Sequence, residues 1–193
     1  MEVQILSRAL EIFYNIKTML YTRKGDNGTT KTFGCDQRIS KSSTIAEALG
    51  TLDEINSFLG ICKVKSSPDI SEIVNNVQQN LFTVQAELAG ADKKLSAEKV
   101  KEIEQIVDGI EKELPPIKTF FVSGGTELAA TFDFARTLAR RAERRVVGVH
   151  EEGKVKIGVD TLAYLNRLSS LLYALARLMN HKSGIKEAAP TYK

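Results

Sequence analysis

The chain has 193 residues, of which 42% are hydrophobic and 26% are charged, and its formal net charge at pH 7 is +3. That length suits one domain with a full hydrophobic core. The net charge is too small to indicate a general nucleic-acid binder, and no apolar run approaches the ~20 residues of a transmembrane helix. Cys35 and Cys62 lack metal-ligand or redox-motif spacing, which favours a reduced, cytoplasmic setting.

Residues 1–18 form an N-terminal extension whose role the sequence leaves open. Its apolar residues have the spacing of a short amphipathic helix, while Arg8, Glu11 and Lys17 interrupt the apolar core that a signal peptide needs. Met19 is equally acceptable as the biological start. We therefore separate the extension from a single predicted domain over residues 19–193.

Helical periodicity dominates the chain after residue 42 and predicts three helices before residue 117. The first ends at the Ser-Ser-Pro-Asp sequence of residues 66–69, which offers an N-cap to the second. The third begins near Ser96 and stops at Pro115 and Pro116. Their apolar stripes are, in order, Ile45, Ala48, Leu49, Leu52, Ile55, Leu59 and Cys62; Ile70, Ile73, Val74, Val77, Leu81, Val84 and Leu88; and Val100, Ile103, Val107 and Ile110.

Two further helices are predicted, the fourth roughly over residues 126–150 and the fifth from Asp160, a plausible N-cap, to His181. The fifth has a stripe of leucines. Strand signals are weak and confined to residues 20–22 and 120–122. Five helices joined by short connections predict an all-α, up-and-down five-helix bundle.

The first polar segment with binding chemistry is the loop 21–31, Tyr-Thr-Arg-Lys-Gly-Asp-Asn-Gly-Thr-Thr-Lys. Backbone N–H groups freed by glycine, hydroxyls and three cations suit a phosphate chain. Gly25 and Gly28 are too close together for a Walker A loop. The alternative is an exposed turn, because Gly-Asp-Asn-Gly favours a turn by itself.

The fourth helix has the most concentrated charge, with five arginines and one glutamate in residues 134–145. At about 100° per residue, three arginines and the glutamate share roughly one third of the helix circumference. Guanidinium groups suit phosphate oxygens, so this face could hold a polyphosphate and its metal ion. The alternative is a solvated basic face. RNA binding is disfavoured because no aromatic residues are interleaved with the arginines. The three arginines and the glutamate that share this basic face are Arg136, Arg140, Arg144 and Glu143.

Other polar positions are candidates that also have ordinary explanations. Lys41, ahead of the first helix, would by itself be a surface lysine. Asp53 lies at the edge of an apolar stripe, where it would pair with an arginine of a neighbouring helix or be solvated. Gly124 and Gly125 suggest close backbone approach to a ligand, or merely a tight connection. Asn166 would hydrogen-bond a ligand between helices, or only a local partner.

The two histidines, His150 and His181, form neither a nucleophile–base pair nor an HExxH-type metal site. If the chain is an enzyme, its reaction therefore needs little proton transfer from the protein. This favours positioning and charge neutralisation around a polyphosphate.

Five motifs occur in order between about residues 20 and 180. The first two are Thr-Arg-Lys-Gly-Asp-Asn-Gly-Thr-Thr at 22–30 and Gly-Thr-Leu-Asp-Glu-Ile-Asn-Ser at 50–57. The other three are Gly-Gly-Thr at 124–126, Arg-Arg-Ala-Glu-Arg at 140–144 and Tyr-Leu-Asn-Arg-Leu-Ser at 164–169. Together they resemble the PduO-type ATP:corrinoid adenosyltransferases. The resemblance implies a homotrimer of five-helix bundles with active sites between subunits. It also implies transfer of the 5′-deoxyadenosyl group of ATP to the cobalt of reduced cob(I)alamin, with Mg²⁺ and release of triphosphate. Cobalt is then the nucleophile, and no general base is required.

The resemblance also assigns roles by position. Asp53 and Arg136 correspond to a pair that bridges subunits beside the cobalamin pocket, and Phe120 to an aromatic residue that helps displace the lower axial ligand of cobalamin. With Arg140, these are the predicted catalytic residues, and Glu143 is the predicted Mg²⁺ ligand. The residues predicted to bind ATP are Thr22, Arg23, Lys24, Gly25, Asp26, Gly28, Thr29, Thr30, Lys41, Arg140, Arg141, Glu143, Arg144 and Asn166.

The chain departs from the family's pattern at two positions, with Ser123 in place of proline and Ser170 in place of aspartate. A reductase that supplies electrons to cobalamin is an implied partner, and an adenosylcobalamin-dependent client enzyme is a further candidate. No nucleic-acid or membrane partner is expected. The competing hypothesis is a non-catalytic carrier of ATP or adenosylcobalamin, and the intact arginine helix favours catalysis over it.

Overall fold

The structure is a computed structural model that describes residues 21–32 and 37–192. The N-terminal extension and Cys35 lie outside these residues, so the predictions made for them are not addressed. Within the described residues, five α-helices confirm the five-helix prediction, and none of them is long and apolar enough to cross a membrane. They are α1 (Thr44–Val64), α2 (Pro68–Leu88), α3 (Ala97–Glu113), α4 (Glu127–Glu151) and α5 (Val159–Lys182).

Serine or threonine precedes four of the five helices, and in two of them the side chain caps the first turn. The Ser43 side chain accepts a hydrogen bond from the Ala46 amide at the start of α1, and Thr126 does the same for Ala129 at the start of α4. Ser67 is the N-cap of α2 and is followed by Pro68, a residue that suits the first helical turn. The Ser43 and Thr126 side chains satisfy amide groups that a helix leaves unpaired in its first turn, whereas the Ser67 side chain makes no capping hydrogen bond.

The predicted N-cap of the fifth helix is wrong, because α5 begins at Val159 with Gly158 as its N-cap. A residue from α2 takes the capping role instead. The buried Glu87 carboxylate accepts hydrogen bonds from the Gly158 amide at 2.7 Å and from the Thr161 hydroxyl at 2.6 Å. A carboxylate at a helix N-terminus is favourable because of the helix dipole. Asp160 therefore lies inside the first turn.

Contacts at the ends of the helices show that α4 is antiparallel to both of its main neighbours. Glu47, early in α1, lies 3.5 Å from Arg145, late in α4, whereas Lys65, just after α1, pairs with Glu127 at the start of α4. The Asn180 amide, late in α5, donates to the carbonyl of Gly124, just before α4, at 3.0 Å.

The remaining two helices complete the predicted up-and-down topology. α2 is antiparallel to α1, since Lys63 near the end of α1 donates to Asn75 in the first half of α2 at 2.9 Å. α3 runs parallel to α5, because Arg167 pairs with Glu104 while Arg177, ten residues later, contacts Pro115 after the end of α3. The helices therefore alternate in direction along the chain.

The core is built by the apolar stripes of all five helices, and α5 is its most enclosed member. Leucines occupy most sides of α5, which packs on α3 and α4 and also reaches α2 through a 3.1 Å hydrogen bond from Asn80 to the Tyr164 hydroxyl. Truncating one such buried leucine to alanine typically costs about 2–5 kcal/mol of stability. The fully enclosed leucines of α5 are Leu165, Leu168, Leu171, Leu172 and Leu175.

The predicted strand signals are wrong wherever the structure describes them. Residues 120–122 are irregular, with a single backbone hydrogen bond from the Val122 amide to the Ala188 carbonyl, and residues 21–22 are irregular as well. Within the described residues the structure has two short strands, β1 (Thr29–Thr30) and β2 (Ile39–Ser40), which form an antiparallel pair. The polar sequence of β1 has no apolar alternation, and its extended form depends on pairing with a segment ten residues away.

Candidate active site

The loop before β1 is held closed by a side chain that follows it. The Arg38 guanidinium donates to the Thr29 hydroxyl at 2.6 Å and to the Thr29 carbonyl at 2.8 Å, and it also donates to the Lys24 carbonyl. The Asn27 side chain accepts a 2.7 Å hydrogen bond from the Thr29 hydroxyl. Arg23 has a φ of 57°, a left-handed conformation that is uncommon for residues other than glycine. The loop is therefore an organised turn, not an open connection.

The structure brings Lys41 to this loop, as its predicted role in binding ATP requires. The Lys41 amide donates to the Gly28 carbonyl at 2.9 Å. A Cβ atom added at Gly25 would lie 3.0 Å from the Lys41 ammonium nitrogen, so the absence of a side chain at Gly25 makes room for the lysine. One exposed ammonium group thus lies beside backbone that can bind an anion.

The predicted basic face of α4 exists, but its members differ in how they are engaged. Arg140 and Arg144 are exposed, and neither has a polar partner among the described residues. Arg136 is half-buried and donates to Asp133 one turn earlier at 2.6 Å. Arg141 points away from this face and pairs with Glu54 of α1. The guanidinium groups of Arg140 and Arg144 are therefore available to a ligand, whereas that of Arg141 already binds a carboxylate.

Glu143 and Asn166, which the sequence placed on different helices of one site, are in direct contact. The Asn166 amide donates to Glu143 Oε1 at 3.0 Å, and Asn166 Oδ1 accepts from Arg167 at 2.8 Å. Glu143 and Arg167 are therefore local partners of Asn166, which is the ordinary explanation of this residue. The hydrogen bond from Asn166 also fixes the Glu143 carboxylate beside the arginines. In the described part of the chain, Oε2 of Glu143 has no hydrogen-bond partner.

Asp53 does not pair with an arginine of its own chain. It is exposed on α1, and the ion pair that joins α1 to the middle of α4 is made by its neighbour Glu54. Arg136, its predicted partner, is engaged with Asp133. Of the two explanations offered by the sequence, the structure of one chain supports a solvated Asp53, while a pair between subunits stays a prediction.

Two clefts border the basic face. The first, about 540 Å³, is lined by Phe120 and Tyr173 together with Arg136 and Arg140. Phe120 is 79% exposed, although it is a large apolar side chain. Burial is the main reason that the pKa of Tyr173 is raised, although the nearby Arg177 opposes the shift, and the phenol is therefore neutral at physiological pH. This cleft offers an apolar wall opposite cationic groups. Ser123 and Ser170, the two departures from the family's pattern, also line it.

The second cleft, about 450 Å³, lies between the start of α1 and the last turns of α4. It is lined by Ser42 and Thr44 on one side and by Arg144 on the other. Since Arg140 and Arg144 are one helical turn apart, the same basic face reaches both clefts. One ligand could bind with an anionic part along the arginines and other parts in the clefts.

The two glycines before α4 make a tight connection within the chain. The Asn180 side chain accepts a hydrogen bond from the Thr126 amide and donates to the Gly124 carbonyl, each at 3.0 Å. A Cβ atom at Gly125 would lie 2.2 Å from Asn180 Oδ1, which only glycine avoids. Of the two explanations offered by the sequence, the structure supports a tight connection, here packed against Asn180.

The carboxylates and histidines of the described residues do not form a metal site by themselves, since they contain no group of three or more His, Cys, Asp or Glu side chains that could hold a metal ion. His150 accepts a hydrogen bond from the Ile157 amide at 3.1 Å, which is a structural role. A divalent ion at this site would need oxygen ligands from a bound polyphosphate as well as from Glu143.

Sequence reasoning missed several residues that organise the site. Arg38 gave no signal, because a lone arginine in a loop resembles any surface residue. Glu87 and Arg177 did give one, since each is a charged residue on the apolar stripe of its helix, and both are buried. Asn180 offered only a weak signal, as a polar residue at the end of a leucine stripe.

A family model described as cobalamin adenosyltransferase matches residues 20–179. The corrinoid adenosyltransferase PduO of Citrobacter freundii is 41% identical over 170 residues, which cover 84% of this chain and 50% of that protein. The corrinoid adenosyltransferase of Bacillus subtilis is 38% identical over 175 residues, which cover 86% of this chain and 89% of that protein. The chain thus spans about half the length of the PduO relatives from Citrobacter freundii and Salmonella typhimurium.

Solved structures are similar as well. A single-residue variant of the PduO-type ATP:corrinoid adenosyltransferase from Lactobacillus reuteri, complexed with cobalamin and ATP, has a TM-score of 0.83 at 30% identity and covers 89% of this chain and 96% of its own. Another variant of that protein, complexed with ATP, has a TM-score of 0.82 at 30% identity, covering 89% and 100%. These findings confirm the resemblance inferred from the five motifs.

Proposed function

The chain belongs to the cobalamin adenosyltransferase family, and from this premise we propose that it transfers the 5′-deoxyadenosyl group of ATP to the cobalt of cob(I)alamin. The cobalt electron pair forms a bond to the ribose C5′. The bond from C5′ to oxygen breaks, its electron pair leaves with triphosphate, and adenosylcobalamin is the other product. The observation that carries the proposal is the basic face of α4, with Arg140 and Arg144 exposed between two clefts.

The chemistry of the described residues suits this reaction. Triphosphate is the leaving group, and its growing negative charge is best stabilised by fixed cations that are already in place. Arg140 and Arg144 provide such cations from a helix, a rigid element, and Lys41 provides one from the neighbouring loop. No protein base has to remove a proton, which agrees with the structural role of His150.

Mg²⁺ is the proposed metal ion, and the donor set of the site fits it in part. Glu143 supplies a carboxylate whose Oε1 is fixed by Asn166, and Mg²⁺ commonly binds one or two carboxylates together with substrate phosphates. When bound, the ion would neutralise charge on the triphosphate. Glu143 and Asn166 would then hold and orient that part of the site.

Cobalamin is proposed to lie in the cleft that contains Phe120. An exposed phenylalanine opposite Arg136 and Arg140 offers an apolar surface to a corrin ring and cations to the nucleotide. Phe120 would favour loss of the lower axial ligand by occupying its side of the ring with an apolar group. Cobalt without that ligand is easier to reduce.

A homotrimer with active sites between subunits is part of the proposal. Asp53 is an exposed carboxylate without a partner among the described residues, and Arg136 lines an open cleft, so the two are suited to meet across a subunit contact. A cytoplasmic location, a reductase for cobalamin and an adenosylcobalamin-dependent client enzyme complete the proposal. The buried free thiol of Cys62 agrees with a reducing compartment.

The decisive experiment is a turnover assay under anaerobic conditions with the full chain, ATP, Mg²⁺ and chemically reduced cobalamin. We expect the absorbance spectrum of adenosylcobalamin to appear together with one equivalent of triphosphate. Folded protein that binds ATP and cobalamin but leaves the corrinoid spectrum unchanged would instead support the carrier hypothesis. A Lys99→Ala variant, altered at an exposed pair with Glu102 on α3, is the control for preparation effects.

A further inference from the structure

The chain after α5 folds back onto the connection between α3 and α4. The Val122 amide donates to the Ala188 carbonyl at 2.8 Å, so the tail lies alongside residues 115–122. Among the described residues, no backbone hydrogen bond of the amides or carbonyls of 115–121 to other backbone groups is found. Secondary structure therefore does not hold this connection in place, and side chains must do so.

Arg177 of α5 provides most of that support. It is a buried arginine, only 5% exposed. Its Nε donates to the Glu187 carboxylate at 3.0 and 3.2 Å, and another guanidinium nitrogen donates to the Pro115 carbonyl at 3.1 Å. The guanidinium also stacks on the Phe121 ring, 5.2 Å from its centroid. One side chain thus joins the central helix, the tail and both ends of an irregular segment.

These bonds also show that Arg177 is not a ligand site. A cleft of about 430 Å³ lies beside it and includes His181 and Glu187 in its wall. The guanidinium is already paired with a carboxylate, a carbonyl and an aromatic face, so it has little capacity left for an anion. Its chemistry is that of a structural contact under the connection.

The connection forms one wall of the proposed cobalamin cleft. Ile117, Thr119 and Phe120 line that cleft on one side, and Arg136 and Arg140 line it on the other. Phe120 belongs to a segment that is held on both sides. Arg177 contacts Pro115 before it and Phe121 after it, and the tail contacts Val122. A shift of this segment would move Phe120 relative to the arginines.

We propose that Arg177 and Glu187 form a clasp that positions the Phe120 segment, so that the C-terminal tail supports the corrinoid side of the active site. Arg177 is in this sense a positioning residue and contacts no substrate. This inference rests on the proposed function for its effect on catalysis. The clasp itself is a property of the fold and is testable without turnover.

The first test measures the mobility of the segment by limited trypsin digestion of the full chain. Lys118 lies in the segment and is exposed, so local opening should expose the bond after it. We expect cleavage after Lys118 to be about tenfold faster in Arg177→Met and several-fold faster in Glu187→Gln, because the latter keeps the contacts to Pro115 and Phe121. Lys99→Met, which removes an exposed ion pair on α3, should cleave there at the wild-type rate.

The second test measures the Michaelis constants for both substrates in the same variants. We expect the KM for reduced cobalamin to rise about tenfold in Arg177→Met while the KM for ATP stays within twofold. Arg177→Lys should recover only part of the loss, since an ammonium group cannot form the same fork and stacking contacts. If Arg177→Met does not fold, Glu187→Gln decides both tests.

The outcomes separate the two claims. Unchanged cleavage after Lys118 in the folded variants would overturn the clasp. Faster cleavage with an unchanged KM for cobalamin would overturn its role in positioning the cleft. Absence of turnover in the wild-type chain would count against the proposed function, while the digestion result would still decide whether the clasp exists.

Discussion

Replacing Arg140 with alanine is the most direct test of the basic face. Arg140 is exposed and has no polar partner among the described residues, so Arg140→Ala should change the free energy of unfolding by no more than about 0.5 kcal/mol. If the guanidinium binds triphosphate, one to two charge-assisted contacts of about 1.5–3 kcal/mol are lost. Since about 1.4 kcal/mol corresponds to a factor of ten, one contact alone predicts a 10- to 150-fold fall in kcat/KM for ATP.

The assay follows the initial rate of adenosylcobalamin formation at limiting and saturating ATP, with urea unfolding of the same preparations. A fall in kcat at saturating ATP would show that Arg140 acts mainly on the departing triphosphate, whereas a rise in KM alone would indicate binding of ATP in its ground state. Lys101→Ala, on the exposed side of α3, controls for the loss of one positive charge. A kcat/KM for Arg140→Ala within twofold of wild type would refute the assignment and leave the arginines as a solvated face.

Three further predictions follow from the described contacts. Arg38→Met should raise the KM for ATP about tenfold with little change in the KM for cobalamin. The reason is that the loop before β1 loses three hydrogen bonds from the Arg38 guanidinium. The same steady-state assay measures both KM values. Gly125→Ala should destabilise the fold by roughly 1–3 kcal/mol, because Gly125 has a positive φ and an added Cβ would collide with Asn180. Gly109→Ala is the control, since Gly109 has open space around it on α3, and it should be neutral or stabilise the fold by up to ~1 kcal/mol. The midpoints of urea unfolding measure both effects. In a Cys35→Ser background, Cys62 should resist iodoacetamide at pH 8 until urea unfolds the chain. Burial raises the pKa of Cys62 to about 11, so the reactive thiolate forms in the folded state only near that pH. Rapid labelling of the folded protein would contradict this prediction.

The proposed trimer would explain why several functional groups of one chain are exposed. Asp53, Arg140 and Phe120 are all open to solvent in a single subunit, although each is a residue that binding or catalysis would have to shield from water. A site completed by a neighbouring subunit would exclude that water and strengthen the electrostatic contacts to triphosphate. Size-exclusion chromatography with light scattering would test whether the chain forms the proposed trimer, and Asp53→Ala should weaken that trimer if the pair with Arg136 crosses the interface.

The sequence by itself determined the helices and the family. The apolar stripes of α1, α2 and α3 repeat at helical spacing, and serine or threonine precedes four of the five helices, so local chemistry specifies most of each element. The motifs in the N-terminal loop, α1, α4 and α5 were sufficient to recognise the adenosyltransferases, because they lie in order over nearly the whole matched region. The basic face of α4 could also be predicted, since it depends only on the angle between successive helical residues.

Only the tertiary structure decided which of these side chains are free to act. Arg140 and Arg141 are neighbours in the sequence, yet Arg141 is bound to Glu54 of α1 while Arg140 remains open to the cleft beside Phe120. Likewise, Glu87 rather than Asp160 caps α5, because the two helices meet there. Helical periodicity specifies the direction in which a side chain points but not which helix lies on that side. That information comes from packing between segments far apart in the chain.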